Sequence, residues 1–340
     1  MPYLPKFQIT PRLLSLISTA SDLRAQIRHS SIRLSALPAL SRDAIVRAAH
    51  SSTAIEGNTL SLHQVKELQA GREVTAEKKS KQEVKSYLQA LKTAAGFRSA
   101  GQMKETKLKA LHRVLMKGLL EKKMLGCYKQ KPNRIVSEKG VTVYAPPLPS
   151  ECPKLMRELF VWQFSEAAKE LSPVITSAVL HHRLLSIHPF ADGNGRISRL
   201  WALTWLFVRE FDADHLMALD ECYDDDRRKY YEKIQQARDL DGDLTYWLEY
   251  SAECVVTALE RVISRMREIS PRNLKNKVYI NEKQKKILDY LRQHGSAKSP
   301  DLEKTLGVTR SRVQQIMKPL VLARLVECRG KTRATVYYLQ

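Results

Sequence analysis

The segment HPFADGNGRISR, from His188 to Arg199, carries side chains suited to phosphate chemistry. Its histidine can accept a proton near neutral pH. The carboxylate of Asp192 is a hard oxygen ligand of the kind that Mg²⁺ prefers when it also binds phosphates. Arg196 and Arg199 are three residues apart, so both can lie on one face of a helical turn and offer planar forks to phosphate oxygens. The segment therefore predicts a base, a metal ligand and phosphate-binding cations close together.

The turn at residues 193–195 lies between two predicted helices, one ending near Ile187 and one beginning with the arginines. The first backbone N–H groups of a helix have no partner inside it, and the helix dipole makes that end attractive to anions. Glycine at the first and third positions removes the Cβ atoms that would hold a phosphate away. We therefore expect Gly193, Asn194 and Gly195 to form an anion-binding cradle.

Each of these residues also has an ordinary structural explanation when it is taken alone. A glycine turn commonly connects two helices, a lone histidine is commonly packed, and helical arginines are commonly solvated. The functional interpretation depends on their combination at this spacing.

The elements that must position this segment are mostly helices, because apolar residues recur at three- and four-residue spacing over much of the chain. Helices are predicted at residues 41–55, 104–121 and 151–170. A further helix is predicted from Pro173 to about Ile187, and two more are predicted within residues 225–269. Capping signals support three helix starts, at Ser41, at Ser61 with Gln64, and at Ser172 before Pro173.

One short β-hairpin is predicted before residue 150. The segments Arg134–Ser137 and Val141–Tyr144 are rich in β-branched residues, and they flank a turn that contains Gly140. An ordinary surface hairpin is the alternative to any binding role.

The C-terminal residues have a different pattern. Helices are predicted over residues 282–294, over 299–306 and after Thr309, with a kink or break at Pro319, and a hairpin follows. This order is that of a winged helix-turn-helix. Its candidate DNA-contacting side chains lie on the third helix and at the hairpin tip: Arg310, Arg312, Gln314, Gln315, Arg329, Lys331 and Arg333.

Charge supports a polyanionic partner. The 340 residues carry a formal net charge of +21, and residues 271–340 contribute 16 Lys/Arg against 5 Asp/Glu. Nucleic acid, nucleotide and acidic protein surfaces all fit, as does a well-solvated basic surface. We expect no membrane span and no signal peptide, hence a cytoplasmic protein. The five scattered cysteines predict reduced thiols and no zinc site.

The twelve-residue segment resembles the signature of the Fic family, HxFx(D/E)GNGRxxR, without a departure. The resemblance implies that His188 deprotonates a target hydroxyl and that Asp192 holds Mg²⁺ on the α- and β-phosphates of ATP. It implies that Gly193, Asn194 and Gly195 form the anion hole. It assigns the polyphosphate to Arg196 and Arg199.

Residues 51–58, SSTAIEGN, resemble the inhibitory motif of that family, (S/T)xxxE(G/N). Ser52, Glu56 and Gly57 match it. By analogy, Glu56 would pair with Arg199 and occupy the place of the γ-phosphate, so that ATP binds poorly aligned. A solvated glutamate at a helix end is the alternative.

The resemblance implies an all-α Fic domain with a β-hairpin flap, followed by a small winged-helix domain. We expect an inhibitory helical region at residues 1–103, a catalytic domain at 104–266 and a winged helix at 278–340. The expected function is transfer of AMP from ATP to a Tyr, Thr or Ser hydroxyl of a protein that docks at the 134–144 flap. A DNA-binding regulator that senses nucleotide and an enzyme that removes AMP are the alternatives. DNA and a second copy of the chain are further candidate partners.

Overall fold

A computed structural model describes residues 3–30, 37–136, 142–212, 215–269, 281–322, 325–329 and 335–339. The chain divides into two compact units. The first comprises Met1–Arg28 and Ser41–Ile263, and the second comprises His29–Leu40 and Ser264–Gln340.

The first unit is built almost entirely of helices, as the sequence predicted. Its helices are α1 Pro11–His29, α2 Leu37–Ile55, α3 Leu62–Gln69, α4 Lys78–Ala94, α5 Glu105–Leu115, α6 Cys152–Gln163, α7 Glu166–Glu170, α8 Pro173–Ile187, α9 Asn194–Val208, α10 Asp220–Asp225, α11 Arg227–Asp239 and α12 Thr245–Ile269. The helices share one hydrophobic core, which extends from Leu13 to Leu259.

Helices α8 and α9 lie at the centre of this core and are buried almost all round. Such helices need apolar residues on every face, and both sequences supply them. Buried tryptophans find partners for their N–H groups here: Trp205 Nε1 donates to Thr176 Oγ1 at 2.6 Å, and Trp247 Nε1 donates to the Ala178 carbonyl at 2.8 Å. Helices α8 and α9 therefore form a rigid support for the turn that joins them.

A short hairpin is present where the sequence predicted one. Strand β1, Ile135–Val136, pairs antiparallel with β2, Thr142–Tyr144, and Ile135 lies opposite Tyr144. The predicted turn at residues 138–140 lies outside the described residues.

The second unit has its own small core. Its elements are α13 Glu282–His294, β3 Ser296–Lys298, α14 Ser299–Leu306, α15 Arg310–Leu322, β4 Val326–Arg329 and β5 Val336–Leu339, with sheet order β3-β5-β4. Strand β3 was not predicted, because three residues are too short to show alternation. The expected break at Pro319 is wrong, since α15 continues through that residue. Lys331 and Arg333 lie outside the described residues.

Two cysteines depart from the expected free thiols. The structure pairs Cys222 with Cys254 as a disulfide, with their Cα atoms 5.5 Å apart. The two residues are 32 positions apart, and only the packing of α10 against α12 brings them together. Within the described parts of the chain, no helix combines the length and apolar character needed to cross a bilayer.

Candidate active site

The candidate site lies in the turn between α8 and α9. Helix α8 ends at His188, whose N–H donates to the Leu184 carbonyl, and the residue has a left-handed backbone with φ +51°. Helix α9 starts after Gly193, which is also left-handed with φ +78°. The two reversals bring the imidazole of His188 and the N-terminus of α9 into one turn.

The tautomer of His188 follows from its hydrogen bond. Nδ1 lies 3.2 Å from the Leu185 carbonyl oxygen. Because a carbonyl can only accept, Nδ1 carries the proton and Nε2 keeps a lone pair. Burial lowers the pKa of His188 to about 4, and the charges of Lys129 and Arg238 add to the lowering. The imidazole is therefore neutral at pH 7 and able to accept a proton at Nε2.

The N-terminus of α9 offers unpaired backbone donors. The first intrahelical bond runs from Ile197 N to the Gly193 carbonyl, so the N–H groups of residues 194–196 have no acceptor within the helix. A Cβ atom at Gly195 would overlap Glu56 Oε1 and lie 3.1 Å from Glu56 Cδ. The Glu56 carboxylate thus lies directly against this helix end, where the sequence predicted an anion.

Two features of the structure favour glycine at position 193. Its φ of +78° is costly for other residues, and a Cβ there would come within 3.1 Å of Met116 Cγ. The side chain of Asn194 is bonded to the loop that precedes it. Its amide accepts from Phe190 N at 2.9 Å and donates to the Phe190 carbonyl at 2.8 Å. The side chain therefore braces the loop, and only the backbone N–H of Asn194 is available at the cradle.

Arg199 is the most heavily contacted side chain of the site and is 2% exposed. Its Nε donates to Ser52 Oγ at 2.9 Å, and its Nη2 donates both to the Ser52 carbonyl and to Glu56 Oε1 at 2.8 Å. Nη1 donates to the Tyr230 hydroxyl at 3.4 Å. Asp220 Oδ1 lies 3.1 Å from Nε. The expected pairing of Glu56 with Arg199 is therefore present in the geometry.

Burial and the neighbouring groups shift the pKa of Arg199 in opposite directions. Burial works to lower the pKa of Arg199, but Tyr230, Glu56 and Asp220 together raise it above its usual range. Burial raises the pKa of Asp220 to about 6, against the opposing charge of Arg199. The carboxyl is still ionised at neutral pH, so the guanidinium faces two carboxylates.

Glu56 is positioned by the end of α2. The Asn58 N–H donates to the Thr53 carbonyl and the Gly57 N–H donates to the Ala54 carbonyl, with Gly57 at φ +92°. This pair of bonds is a Schellman motif, which ends the helix and explains the glycine after the glutamate. The Glu56 side chain remains 29% exposed.

Arg196 is buried beside the turn, near Glu83 and Asp192. It is 4% exposed, and its Nη1 lies 3.7 Å from Glu83 Oε1 while its Nη2 lies 3.6 Å from Asp192 Oδ1. Neither Nε nor Nη1 has a hydrogen-bond partner among the described residues. Buried donors without partners are rare, so Arg196 retains capacity for an additional acceptor.

Asp192 is exposed at the mouth of the turn, with 59% of its side chain accessible. Its Oδ1 accepts the Gly193 N–H at 2.5 Å. Among the described residues, no group of three or more His, Cys, Asp or Glu side chains could hold a metal ion by itself. A cation here would have to complete its coordination with ligand oxygens.

Several residues of the site were not identified from the sequence. His112 stacks on Phe190 with ring centroids 3.8 Å apart and contacts the Asp192 carbonyl through Nε2 at 3.0 Å. Tyr230, which the sequence analysis did not include, contacts both Arg199 and His181 Nε2. These residues lie on other helices, and their spacing along the chain gives no signal.

This chain is similar to known proteins over much of its length. Residues 102–206 match the model of the Fic/DOC family. The chain is 28% identical over 239 residues to the protein adenylyltransferase Fic of Aedes aegypti, covering 69% of this chain and 45% of the relative. For that of Drosophila persimilis the identity is 28% over 253 residues, covering 73% and 46%. The chain thus spans about half the length of these curated relatives.

Solved structures share the fold. A Fic family protein from Desulfovibrio desulfuricans G20 aligns with a TM-score of 0.71 and 24% identity, over 99% of this chain and 98% of that one. Fic-1 from C. elegans aligns with a TM-score of 0.64 and 23% identity, over 76% and 74%. At this identity the likeness concerns the fold alone.

The buried His112 predicts a loss of stability in acid. Its Nδ1 accepts the Gly126 N–H at 3.0 Å, which requires a neutral ring, and burial lowers its pKa to about 4. Between pH 6.5 and 4 the unfolded chain binds a proton that the folded chain does not. Stability is therefore lost as the pH falls through this window, by up to about 3 kcal/mol from this residue.

Urea unfolding at pH 4.5 and 6.5 measures this contribution. We expect His112→Gln to show a smaller loss of stability over this interval than the unaltered chain. His63→Gln, at an exposed histidine, is the control and should leave the loss unchanged. An equal loss in the His112→Gln chain would contradict the assigned tautomer and burial.

Proposed function

We propose that this protein transfers AMP from ATP to a hydroxyl group of a protein. The observation that carries the proposal is the Glu56 carboxylate at Gly195, held by Arg199. A carboxylate in this place marks an anion-binding position made of helix N–H groups and a buried guanidinium. The neutral imidazole of His188 lies in the same turn, so a polyphosphate and a base can meet here. The curated relatives named protein adenylyltransferase support this reaction.

The reaction follows from these groups. The oxygen of the target hydroxyl attacks the α-phosphorus of ATP, and His188 Nε2 takes the hydroxyl proton. The bond between the α-phosphorus and the oxygen bridging to the β-phosphorus breaks, and pyrophosphate leaves. Arg199, Arg196 and the N–H groups at the start of α9 stabilise the negative charge on the leaving group. The two unpartnered nitrogens of Arg196 fit this role.

Asp192 is the residue that would hold Mg²⁺. Its exposed hard carboxylate fits an ion that is commonly bound through one or two carboxylates and the phosphates of its nucleotide. When bound, the ion would neutralise phosphate charge and favour departure of pyrophosphate.

Glu56 acts as a brake in this proposal. It lies in the cradle and accepts a hydrogen bond from Arg199 Nη2. The γ-phosphate of ATP would need both this space and this donor. The carboxylate also repels that phosphate, so the α-phosphorus is held away from the attacking hydroxyl. The partial exposure of the Glu56 side chain leaves it room to move aside.

The hairpin is the proposed docking place for the target. Tyr144, on β2, donates its hydroxyl to the Ser186 carbonyl at 3.0 Å, two residues before the candidate base. This bond ties the hairpin to the end of α8. A strand of the target added along the hairpin would therefore bring its hydroxyl towards His188.

A second function is proposed for the C-terminal unit. The exposed Arg312 on α15 and the local excess of positive charge favour DNA binding. A regulator that senses nucleotide remains the alternative to an enzyme, and AMP removal is the alternative reaction.

His188→Ala should abolish AMP transfer and leave ATP binding nearly unchanged. The base acts on the attacking hydroxyl, and its loss typically costs about 10²–10⁴-fold in rate. Transfer of labelled AMP and calorimetric ATP binding measure the two properties. His63→Ala is the matched control at an exposed histidine. Turnover near that of the unaltered chain would remove His188 from the mechanism.

Glu56→Gly should raise AMP transfer, and the gain should require Arg199. A deficit of ~3 kcal/mol in productive alignment corresponds to about 150-fold in rate. Glu56→Gly with Arg199→Ala should lose the gain, because the freed guanidinium orients the nucleotide. Glu73→Gly, at an exposed loop glutamate, is the control. An unchanged rate for Glu56→Gly would leave Glu56 as an ordinary helix end.

Arg312→Ala should weaken DNA binding without affecting AMP transfer. If Arg312 contacts a phosphate, the slope of log affinity against log salt should decrease by about 1. Lys286→Ala, at an exposed position of α13, is the comparison variant. If the unaltered protein binds no DNA at low salt, the C-terminal unit is a protein-docking module instead.

A further inference from the structure

We propose that Asp220 is a fixed counter-ion of Arg199, and thereby a positioning residue that sets how readily Glu56 gives way to a nucleotide. The kinetic part of this inference rests on the proposed AMP transfer. The structural part concerns the charge balance of one buried guanidinium.

Asp220 acts on Arg199 through charge. Its Oδ1 lies 3.1 Å from Arg199 Nε, and the two side chains are 2% and 1% exposed. The Nε proton is already donated to Ser52 Oγ, and Asp220 Oδ1 accepts no hydrogen bond from any described residue. A carboxylate in this position contributes its negative charge and little else to Arg199.

The two carboxylates that pair with Arg199 differ in mobility. Glu56 is 29% exposed and ends a helix, whereas Asp220 is buried at the start of α10. Three contacts hold α10 in place: Glu221 with Arg47 at 3.1 Å, Asp225 with Arg261 at 2.5 Å, and the Cys222–Cys254 disulfide. Asp220 is therefore the permanent partner, and Glu56 is the exchangeable one.

This difference has a consequence for the brake. A buried guanidinium without a counter-charge is strongly unfavourable. With Asp220 present, Arg199 stays neutralised and oriented when Glu56 leaves. Without Asp220, Glu56 would be the only carboxylate paired with Arg199 in the described parts of the chain, and it would be held more tightly. Asp220 therefore weakens the hold of Arg199 on Glu56.

Asp220→Asn tests this directly, because it keeps the shape and removes the charge. In the chain that retains Glu56, we expect AMP transfer to fall about tenfold, since the brake is tighter. In the Glu56→Gly background there is no brake to tighten, so transfer should fall less than in the chain that retains Glu56. ATP should bind more tightly there, because the phosphate becomes the main counter-charge. Asp22→Asn, at an exposed position of α1, is the control.

If Asp220 only stabilises the fold, a different result is expected. Transfer would then fall by the same factor in both backgrounds, and ATP would bind no more tightly in the Glu56→Gly chain. Either of these outcomes would overturn the proposal.

A stability measurement tests the pair without nucleotide. Arg199→Met leaves Asp220 as an uncompensated buried carboxylate and should lower the melting temperature by roughly 10 °C. Adding Asp220→Asn should recover a large part of that loss. If the double variant is no more stable than Arg199→Met, the two charges are not coupled and the proposal is wrong. This comparison decides the point even if Asp220→Asn alone does not fold.

The transfer assay and the stability measurement distinguish failure of the proposed function from failure of the Asp220 proposal. If no variant transfers AMP to any protein, the proposed function fails. The stability comparison of Arg199→Met with the double variant still decides whether Asp220 is the counter-ion.

Discussion

The buried positive charge of Arg199 is the constraint on which the site depends. A guanidinium at 2% exposure must be satisfied by nearby partners, and three helices supply four of them. Ser52 and Glu56 come from the α2 end, Asp220 from α10 and Tyr230 from α11. These contacts draw three separate helices around the start of α9. They also leave one partner, Glu56, that is both partly exposed and chemically similar to a phosphate.

The helix end beside Arg199 explains why the exchangeable partner is an anion. The first N–H groups of α9 have no acceptor in their own helix, and glycine at position 195 lets an oxygen approach them closely. The Glu56 carboxylate lies against this helix end. A terminal phosphate offers the same donors more oxygens and more charge. In the proposed function, Glu56 and the terminal phosphate of ATP are therefore alternatives for one position.

How much of this was predictable follows from where the residues lie in the chain. His188, Asp192 and the glycines belong to one contiguous motif, so residue types and spacing were sufficient to propose them as site residues. The helical fold and the hairpin were also predicted, because periodicity and turn residues are local signals. His112 and Asp220 were not identified, since they reach the turn only through packing. Tyr230 was left out of the site because two adjacent tyrosines are more often packing residues. No signal in the sequence indicated that the Asn194 side chain would brace the Phe190 loop. The Cys222–Cys254 pair likewise depends on tertiary contacts that the sequence does not reveal.

The central claim is that Glu56 and the terminal phosphate of ATP compete for the same place. Calorimetric binding of ATP and of ADP to the unaltered chain and to Glu56→Gly tests this claim most directly. ADP lacks the γ-phosphate but keeps every other group. The account predicts that Glu56→Gly tightens ATP binding by about tenfold, equivalent to ~1.4 kcal/mol, and leaves ADP binding nearly unchanged. Equal changes for the two nucleotides, or no change for either, would contradict it.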